Sequence, residues 1–136
     1  MIGAGPVAFR RTQILLEWGA QVRVVAPIIL PDFYPLESTQ LILTPRAFEP
    51  SDLQGAFLCV AATNQPALNA QIATLAQQQK VWANIASNAT LGDFHFPSLI
   101  RQGSVVVGLH AGGQPALAKR LKKWLSHTLL HWKDTE

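Results

Sequence analysis

Gly3-Ala4-Gly5-Pro6-Val7-Ala8, followed at once by an amphipathic run to about Gly19, is the stretch on which the fold of this chain turns. It is a G-x-G-x-x-A pattern at a strand-to-helix junction. The first glycine permits a tight turn, and the second lets the backbone approach a pyrophosphate with no Cβ in the way. The small Ala8 lets the helix lie close against the sheet. A helix starting there offers free N–H groups and a partial positive charge to phosphates. Such a turn normally follows a buried strand of about five residues. Only Met1 and Ile2 stand before Gly3, so either the first strand is very short or the sequence opens inside it.

Working outward, Phe9–Trp18 sets apolar residues at 14, 15, 16 and 18 against polar ones at 10–13 and 17, which reads as a helix. Gly19 stops it. Val22–Ala26 reads as a strand interrupted only by Arg23. Pro27–Pro35 holds three prolines and reads as loop with room for a short helical turn. Leu41–Leu43 is a short strand. Ala56–Ala62 is a continuous apolar run bounded by Gly55 and Thr63-Asn64, as expected of a strand buried on both faces. Gln65–Gln79 reads as a helix, Val81–Ala86 and Ser104–Leu109 as strands, and Pro115–Trp132 as a basic amphipathic helix with Leu117, Leu121, Trp124 and Leu125 on one face. Strand alternating with helix predicts an α/β fold with a parallel, doubly wound sheet.

At 136 residues and 49% hydrophobic, the chain suits one compact unit, or one domain with a small appendage. No apolar run reaches the roughly 18 residues that span a bilayer. No charged segment precedes a cleavable apolar one, so no leader and no membrane partner are expected. The single cysteine, Cys59, lies inside an apolar run and excludes an internal disulfide framework. A reducing, cytoplasmic setting is expected. Residues 1–100 carry five Lys/Arg against six Asp/Glu, whereas residues 101–136 carry six against two. Such a basic segment suits a polyanionic ligand, nucleic acid or solvent.

In order, the residues are similar to the precorrin-2 dehydrogenase/sirohydrochlorin ferrochelatase family, the N-terminal module of siroheme synthases. The matching segments are Gly3–Ala8 with Arg11, Leu15-Leu16-Glu17-Trp18-Gly19-Ala20, Val24-Val25-Ala26-Pro27 and Asp52-Leu53. Ala61-Ala62-Thr63-Asn64, Asn69, Asn84, Asp93-Phe94-His95-Phe96-Pro97, Gly112-Gly113 and Pro115-Ala116-Leu117-Ala118 follow. The resemblance implies a Rossmann-like NAD-binding domain over residues 1–97 and a dimerisation segment over 98–136. It also implies oxidation of precorrin-2, a tetrapyrrole, to sirohydrochlorin with NAD as hydride acceptor. Some family members also insert Fe²⁺, and family members are typically homodimers. The chain departs from the family at one place that matters. An aspartate usually stands three residues after the asparagine of the fourth Rossmann strand; here Ser87 takes that position and Asn88 follows. Ala111, preceded by His110, stands where serine usually precedes the double glycine, and the stretch after Gly113 is one residue short at Gln114.

The expected cofactor site is Gly3, Gly5, Pro6 and Val7 for the pyrophosphate, with Ala26, Pro27, Ala62 and Thr63 lining the nucleotide. A bare structural turn is the competing reading. The ribose-reading carboxylate that usually ends the second strand is replaced by Ala26-Pro27, and no basic residue follows to meet a 2′-phosphate, which points to NAD over NADP. Ser87, Asp93 and His110 are the catalytic candidates. A hydroxyl takes no proton usefully at pH 7 and carries no charge for a metal, so Ser87 does not replace a carboxylate. Asp93 is a substitute carboxylate or a turn cap. His110 is an acid/base or a hydrogen-bonded strand-end histidine. His127 and His131 share a helix face as half a metal site without a third ligand, so no metal is assigned. Lys119, Arg120, Lys122 and Lys123 form a solvated face or attract a carboxylate-rich tetrapyrrole, with Arg10 and Arg11 assisting. No nucleic-acid motif accompanies them. Two alternatives stay open: a non-catalytic relative acting as carrier, sensor or partner subunit, and an unrelated Rossmann oxidoreductase. The segments Phe94–Pro97 and Gly112–Ala118 argue against the latter.

Overall fold

The computed structural model describes residues 1–130, and the chain divides into two compact units, the first Met1–His95 and the second beginning at Phe96. In the first unit the elements are α1 (Pro6–Glu17), β1 (Val22–Val25), β2 (Leu41–Thr44), β3 (Leu58–Ala61), α2 (Pro66–Gln78) and β4 (Trp82–Ile85). Short 3₁₀ turns stand at Pro31–Leu36, Pro50–Leu53 and Ala89–Leu91. β1 pairs with β2 and β3 with β4, both in parallel. Met1 and Ile2 join the two pairs, because Ile2 bridges Val25 on one side and Ala61 on the other. The Ile2 N–H donates to the Val60 carbonyl at 2.8 Å, and the Ile2 carbonyl accepts from the Ala62 N–H at 2.8 Å. The order across the sheet is therefore β2-β1-(Met1-Ile2)-β3-β4, an open parallel Rossmann-like sheet.

Side-chain alternation along the strands makes two cores. Val24 faces Ala8 of α1 and Phe33, while its neighbour Val25 joins Ile2, Ala61 and the α2 residues Ile72 and Ala76. The two helices thus cover opposite faces, as double winding requires. Phe9 meets Phe33 edge-on, with ring centroids 5.1 Å apart and planes at 78°. That geometry is favourable for aromatic pairs.

α1 begins three residues before the expected Phe9. Pro6 sits in its first turn, where a fixed φ is helical already and the missing N–H is no loss. Both helices of this unit end in a 6→1 and 5→2 pair of hydrogen bonds. In α1 the Ala20 N–H reaches the Leu15 carbonyl (3.0 Å) and the Gly19 N–H the Leu16 carbonyl (2.9 Å), with Gly19 at φ +78°. In α2 the Val81 N–H reaches the Ala76 carbonyl (2.9 Å) and the Lys80 N–H the Gln77 carbonyl (3.1 Å), with Lys80 at φ +57°. A lysine therefore occupies the left-handed position that glycine normally fills.

The second unit is an antiparallel hairpin of β5 (Ser98–Gln102) and β6 (Val105–Leu109), followed by α3 (Pro115–Leu130). β5 is not anticipated by the sequence reading. The two-residue connection Gly103-Ser104, with Gly103 at φ +56°, makes the hairpin. Ile100 of β5 is buried. The end of the expected Pro115–Trp132 helix lies outside the described residues.

Candidate dinucleotide and substrate site

The turn between the Ile2 bridge and α1 is built from two glycines with different tasks. Gly3 has φ +99°, and its N–H donates to the Val25 carbonyl at 2.9 Å. A Cβ there would lie 2.5 Å from the Ala62 carbonyl oxygen. The turn therefore presses directly on the loop that follows β3. Gly5 is the N-cap of α1, with φ −87° and ψ −175°, and no side chain caps the helix. A Cβ on Gly5 would meet nothing within 4 Å. Open space thus stands over Gly5 beside an uncapped helix start, with Pro6 and Val7 exposed and Ala8 fully buried. This fits a dinucleotide pyrophosphate, which takes hydrogen bonds from such N–H groups and favours the positive end of the helix. Ala26 is buried at the end of β1, and Pro27 is exposed beside it. Ile28, which the sequence reading did not single out, is 84% exposed next to them.

Behind the turn, Thr63 and Ser87 are tied together by a residue whose role the sequence reading missed. Asn69 of α2 has no exposed surface. Its Oδ1 accepts from the Thr63 Oγ1 hydroxyl at 2.7 Å and the Thr63 N–H at 3.3 Å. Its Nδ2 donates to the Thr63 carbonyl at 3.1 Å and to Ser87 Oγ at 3.0 Å. The signal was present: Asn69 shares the buried stripe of α2 with Ile72 and Ala76, where a polar side chain must be fully paired. The cofactor candidates Gly3, Ala62 and Thr63 and the catalytic candidate Ser87 thus form one connected cluster at the carboxyl ends of β3 and β4. Ligands of open α/β sheets bind at that edge.

Two neighbours differ from expectation. Arg11 does not join Arg10 on a free basic surface. Its guanidinium donates to Oδ1 of the buried Asn84, whose Nδ2 donates to the Phe94 carbonyl at 2.6 Å. Partial burial, and then the neighbouring Arg10 charge, push the Arg11 pKa down. Asp93 is engaged with the backbone of β4: its Oδ2 accepts from the Ala83 N–H at 2.8 Å, and its own N–H donates to the Ala83 carbonyl at 2.7 Å. His110 lies in the second unit, just after β6, and is exposed. Lys119, Arg120, Lys122 and Lys123 are all exposed on α3. His127 is exposed there too, and His131 lies outside the described residues. Among the described residues no group of three His, Cys, Asp or Glu is placed to hold a metal.

At the opposite, amino-terminal edge of the sheet a cavity of 460 Å³ opens between β1 and β3, lined by Met1, Val22, Arg23, Asp52, Phe57 and Leu58 among others. None of the candidate site residues lines it. The Asp52 side chain, 2% exposed, holds Arg46 through two hydrogen bonds of 2.6 and 2.9 Å and accepts from the Glu49 N–H at 2.8 Å. The Arg46 hydrogen bonds pull the Asp52 pKa below the ordinary aspartate range. Burial pushes the Cys59 thiol up, so it stays protonated at neutral pH.

A Rossmann-like sheet with an open glycine turn at a helix start defines a nucleotide-binding domain, and the comparisons agree. A family described as "Putative NAD(P)-binding" matches residues 1–98, and the chain belongs to it. The chain is 34% identical over 131 residues to a siroheme synthase of Photobacterium profundum, covering 95% of this chain and 28% of that protein. It is 35% identical over 131 residues to siroheme synthase 1 of Serratia proteamaculans, again covering 95% and 28%. The chain thus spans just over a quarter of the length of these relatives. Among solved structures, SirC, a precorrin-2 dehydrogenase, superposes with a TM-score of 0.79 at 29% identity, covering 93% of this chain and 63% of that one.

Proposed function

We propose that this domain oxidises precorrin-2 to sirohydrochlorin in siroheme synthesis, with NAD⁺ as hydride acceptor. The observation that carries this reading is the open space over Gly5 at an uncapped helix start, in a fold superposing on a precorrin-2 dehydrogenase over 93% of its length. The reaction removes a hydride and protons from the macrocycle. The bound cofactor supplies the hydride sink; the chain's own residues bind and align. Gly3 seats the turn against Ala62, Gly5 leaves room for the pyrophosphate, and Thr63 and Ser87 border the site through Asn69. Ala26-Pro27 in place of a ribose-reading carboxylate leaves the adenosine to backbone contacts and, with no basic residue following, favours NAD over NADP. His110 and Asp93 remain proposed acid/base groups, and Asp93 does so only by leaving Ala83. Metal insertion by this chain is expected to be weak or absent, since Ser87 brings no negative charge.

A homodimer formed through residues 98–136 completes the proposal. Leu117 and Leu121 are each 37% exposed and Trp124 is 62% exposed, at helical spacing on α3. The single, unpaired Cys59 suits the proposed reducing, cytoplasmic setting, and among the described residues no helix is long and apolar enough to cross a membrane.

A second reading, a non-catalytic tetrapyrrole carrier or sensor, is favoured by Ser87 itself, since a hydroxyl is no base at neutral pH. Anaerobic incubation with precorrin-2 and NAD⁺, followed by absorbance of NADH and of the macrocycle, separates the two. Turnover supports the dehydrogenase. Tetrapyrrole binding without turnover, in wild type and in Ser87→Asp alike, supports the carrier. Removing a positioned acid/base typically costs about 10²–10⁴-fold in rate, so supplying a carboxylate with Ser87→Asp is expected to raise kcat.

A further inference from the structure

The Asn69 amide fixes which way the Ser87 proton points. The two ends of a carboxamide are told apart by their partners. Here the Thr63 backbone decides, because its N–H can only donate and its carbonyl can only accept. The former faces Asn69 Oδ1 at 3.3 Å and the latter Asn69 Nδ2 at 3.1 Å. A flipped amide would set donor against donor and acceptor against acceptor. The Thr63 hydroxyl adds to the same choice. It donates to Oδ1 at 2.7 Å while accepting from the Gln65 N–H at 3.2 Å. Nδ2 then carries two protons and spends both, one on the Thr63 carbonyl and one on Ser87 Oγ at 3.0 Å. An amide nitrogen accepts nothing, so Ser87 must be the acceptor in that pair. Its own proton is directed away from Asn69, and Ser87 is exposed at the carboxyl end of β4. Asn69 is fully buried and cannot swing out to release it.

We propose that Ser87 is a preset hydrogen-bond donor to an acceptor oxygen of the bound ligand, and that Asn69 is the positioning residue that sets it. The inference rests on the site assigned under the proposed function, but on binding and not on turnover. Two oxygens present the required chemistry: a carboxylate of the tetrapyrrole and the carboxamide oxygen of the nicotinamide. On this assignment Ser87 is a binding contact; the proton chemistry of the reaction is carried elsewhere.

The test measures affinity by calorimetry for two probes, NAD⁺ alone and sirohydrochlorin alone, in wild type, Ser87→Ala, Ser87→Thr and Ser87→Asp. Ser87→Ala is expected to lose about tenfold or more in affinity for one of the two probes, the scale of one hydrogen bond to a charged or strongly polar acceptor. Loss confined to sirohydrochlorin assigns the carboxylate, and loss confined to NAD⁺ assigns the carboxamide. Ser87→Thr, which keeps the hydroxyl, is expected to restore most of the affinity. Ser87→Asp keeps an acceptor for Asn69 but offers no donor. If the partner is a carboxylate, Ser87→Asp is expected to raise KM for precorrin-2 even where kcat rises, a split that a purely structural residue would not give. Asn69→Asp removes both amide donors and lets the Ser87 proton turn inward; it is expected to reproduce the Ser87→Ala loss, with the double variant no worse than either single one. Should Asn69→Asp fail to fold, the exposed Ser87 series still decides. Wild-type affinity of Ser87→Ala for both probes overturns the proposal. Absence of turnover in every variant, with the affinity differences intact, overturns only the dehydrogenase reading.

Discussion

Gly3 and Gly5 are two residues apart and fail in opposite ways. Gly3 holds a left-handed φ of +99°, and any Cβ would press on the Ala62 carbonyl at 2.5 Å. Gly3→Ala is therefore expected to cost about 2 kcal/mol or more in stability, read as a lowered urea midpoint. Gly5 sits in an ordinary extended conformation, and a Cβ added there would meet no atom within 4 Å. Gly5→Val is expected to change stability by no more than about 1 kcal/mol, yet to abolish NAD⁺ binding in calorimetry. Equal NAD⁺ affinity in wild type and Gly5→Val would sink the cofactor assignment. The sequence showed both glycines, because the pattern is local. It did not show that one serves the fold and the other the ligand, since that depends on where Ala62 arrives from the far end of β3. The tasks of Asn69, Arg11 and Asp93 were hidden for the same reason: their partners Ser87, Asn84 and Ala83 lie 18, 73 and 10 positions away.

Among the elements, the helix ends offer a direct comparison. α1 ends on Gly19 and α2 on Lys80, with the same pair of closing hydrogen bonds and both residues at positive φ. Only the lysine bears the steric cost of a Cβ there. Lys80→Gly is expected to stabilise the chain by about 0.5–1 kcal/mol, and Gly19→Ala to destabilise it by a similar amount, both read from denaturant midpoints. The Pro50–Leu53 turn depends on charge. The lowered pKa of Asp52, caused first by its hydrogen bonds to Arg46, means that the folded state holds the carboxylate more tightly than the unfolded chain does. That stabilisation is present above the ordinary aspartate value of 3.8 and is lost as pH falls through the lower folded value. Stability measured from pH 6 downward is expected to fall less steeply for Asp52→Asn than for wild type over that acid range. The parallel strands and α2 were legible because each carries a strong apolar run or period. β5 was not: Ser98-Leu99-Ile100-Arg101-Gln102 has no clean alternation, and its strand character comes from pairing with β6 across Gly103-Ser104.

For the whole molecule, the stripe Leu117, Leu121 and Trp124 on α3 leaves three large apolar side chains exposed at helical spacing. Light scattering at micromolar concentration is expected to give a dimer, and Leu121→Asp with Trp124→Asp a monomer; a monomeric wild type would contradict the proposed assembly. The first unit has a different exposure to manage. β4 is one of its two edge strands, its first residue Trp82 is 55% exposed, and the outward N–H and carbonyl of Ala83 are the groups on which another chain could template a further strand. Asp93 occupies both, the carbonyl with its backbone and the N–H with its carboxylate. If that edge is what templates association, the Asp93 carboxylate is expected to block it. Asp93→Asn keeps an oxygen for Ala83 and is expected to remain clear on prolonged storage at high concentration. Asp93→Ala bares the N–H and is expected to turn cloudy and bind amyloid-sensitive dyes. A loss of the proposed activity in Asp93→Ala but not in Asp93→Asn would then report precipitation of the protein, not a missing acid.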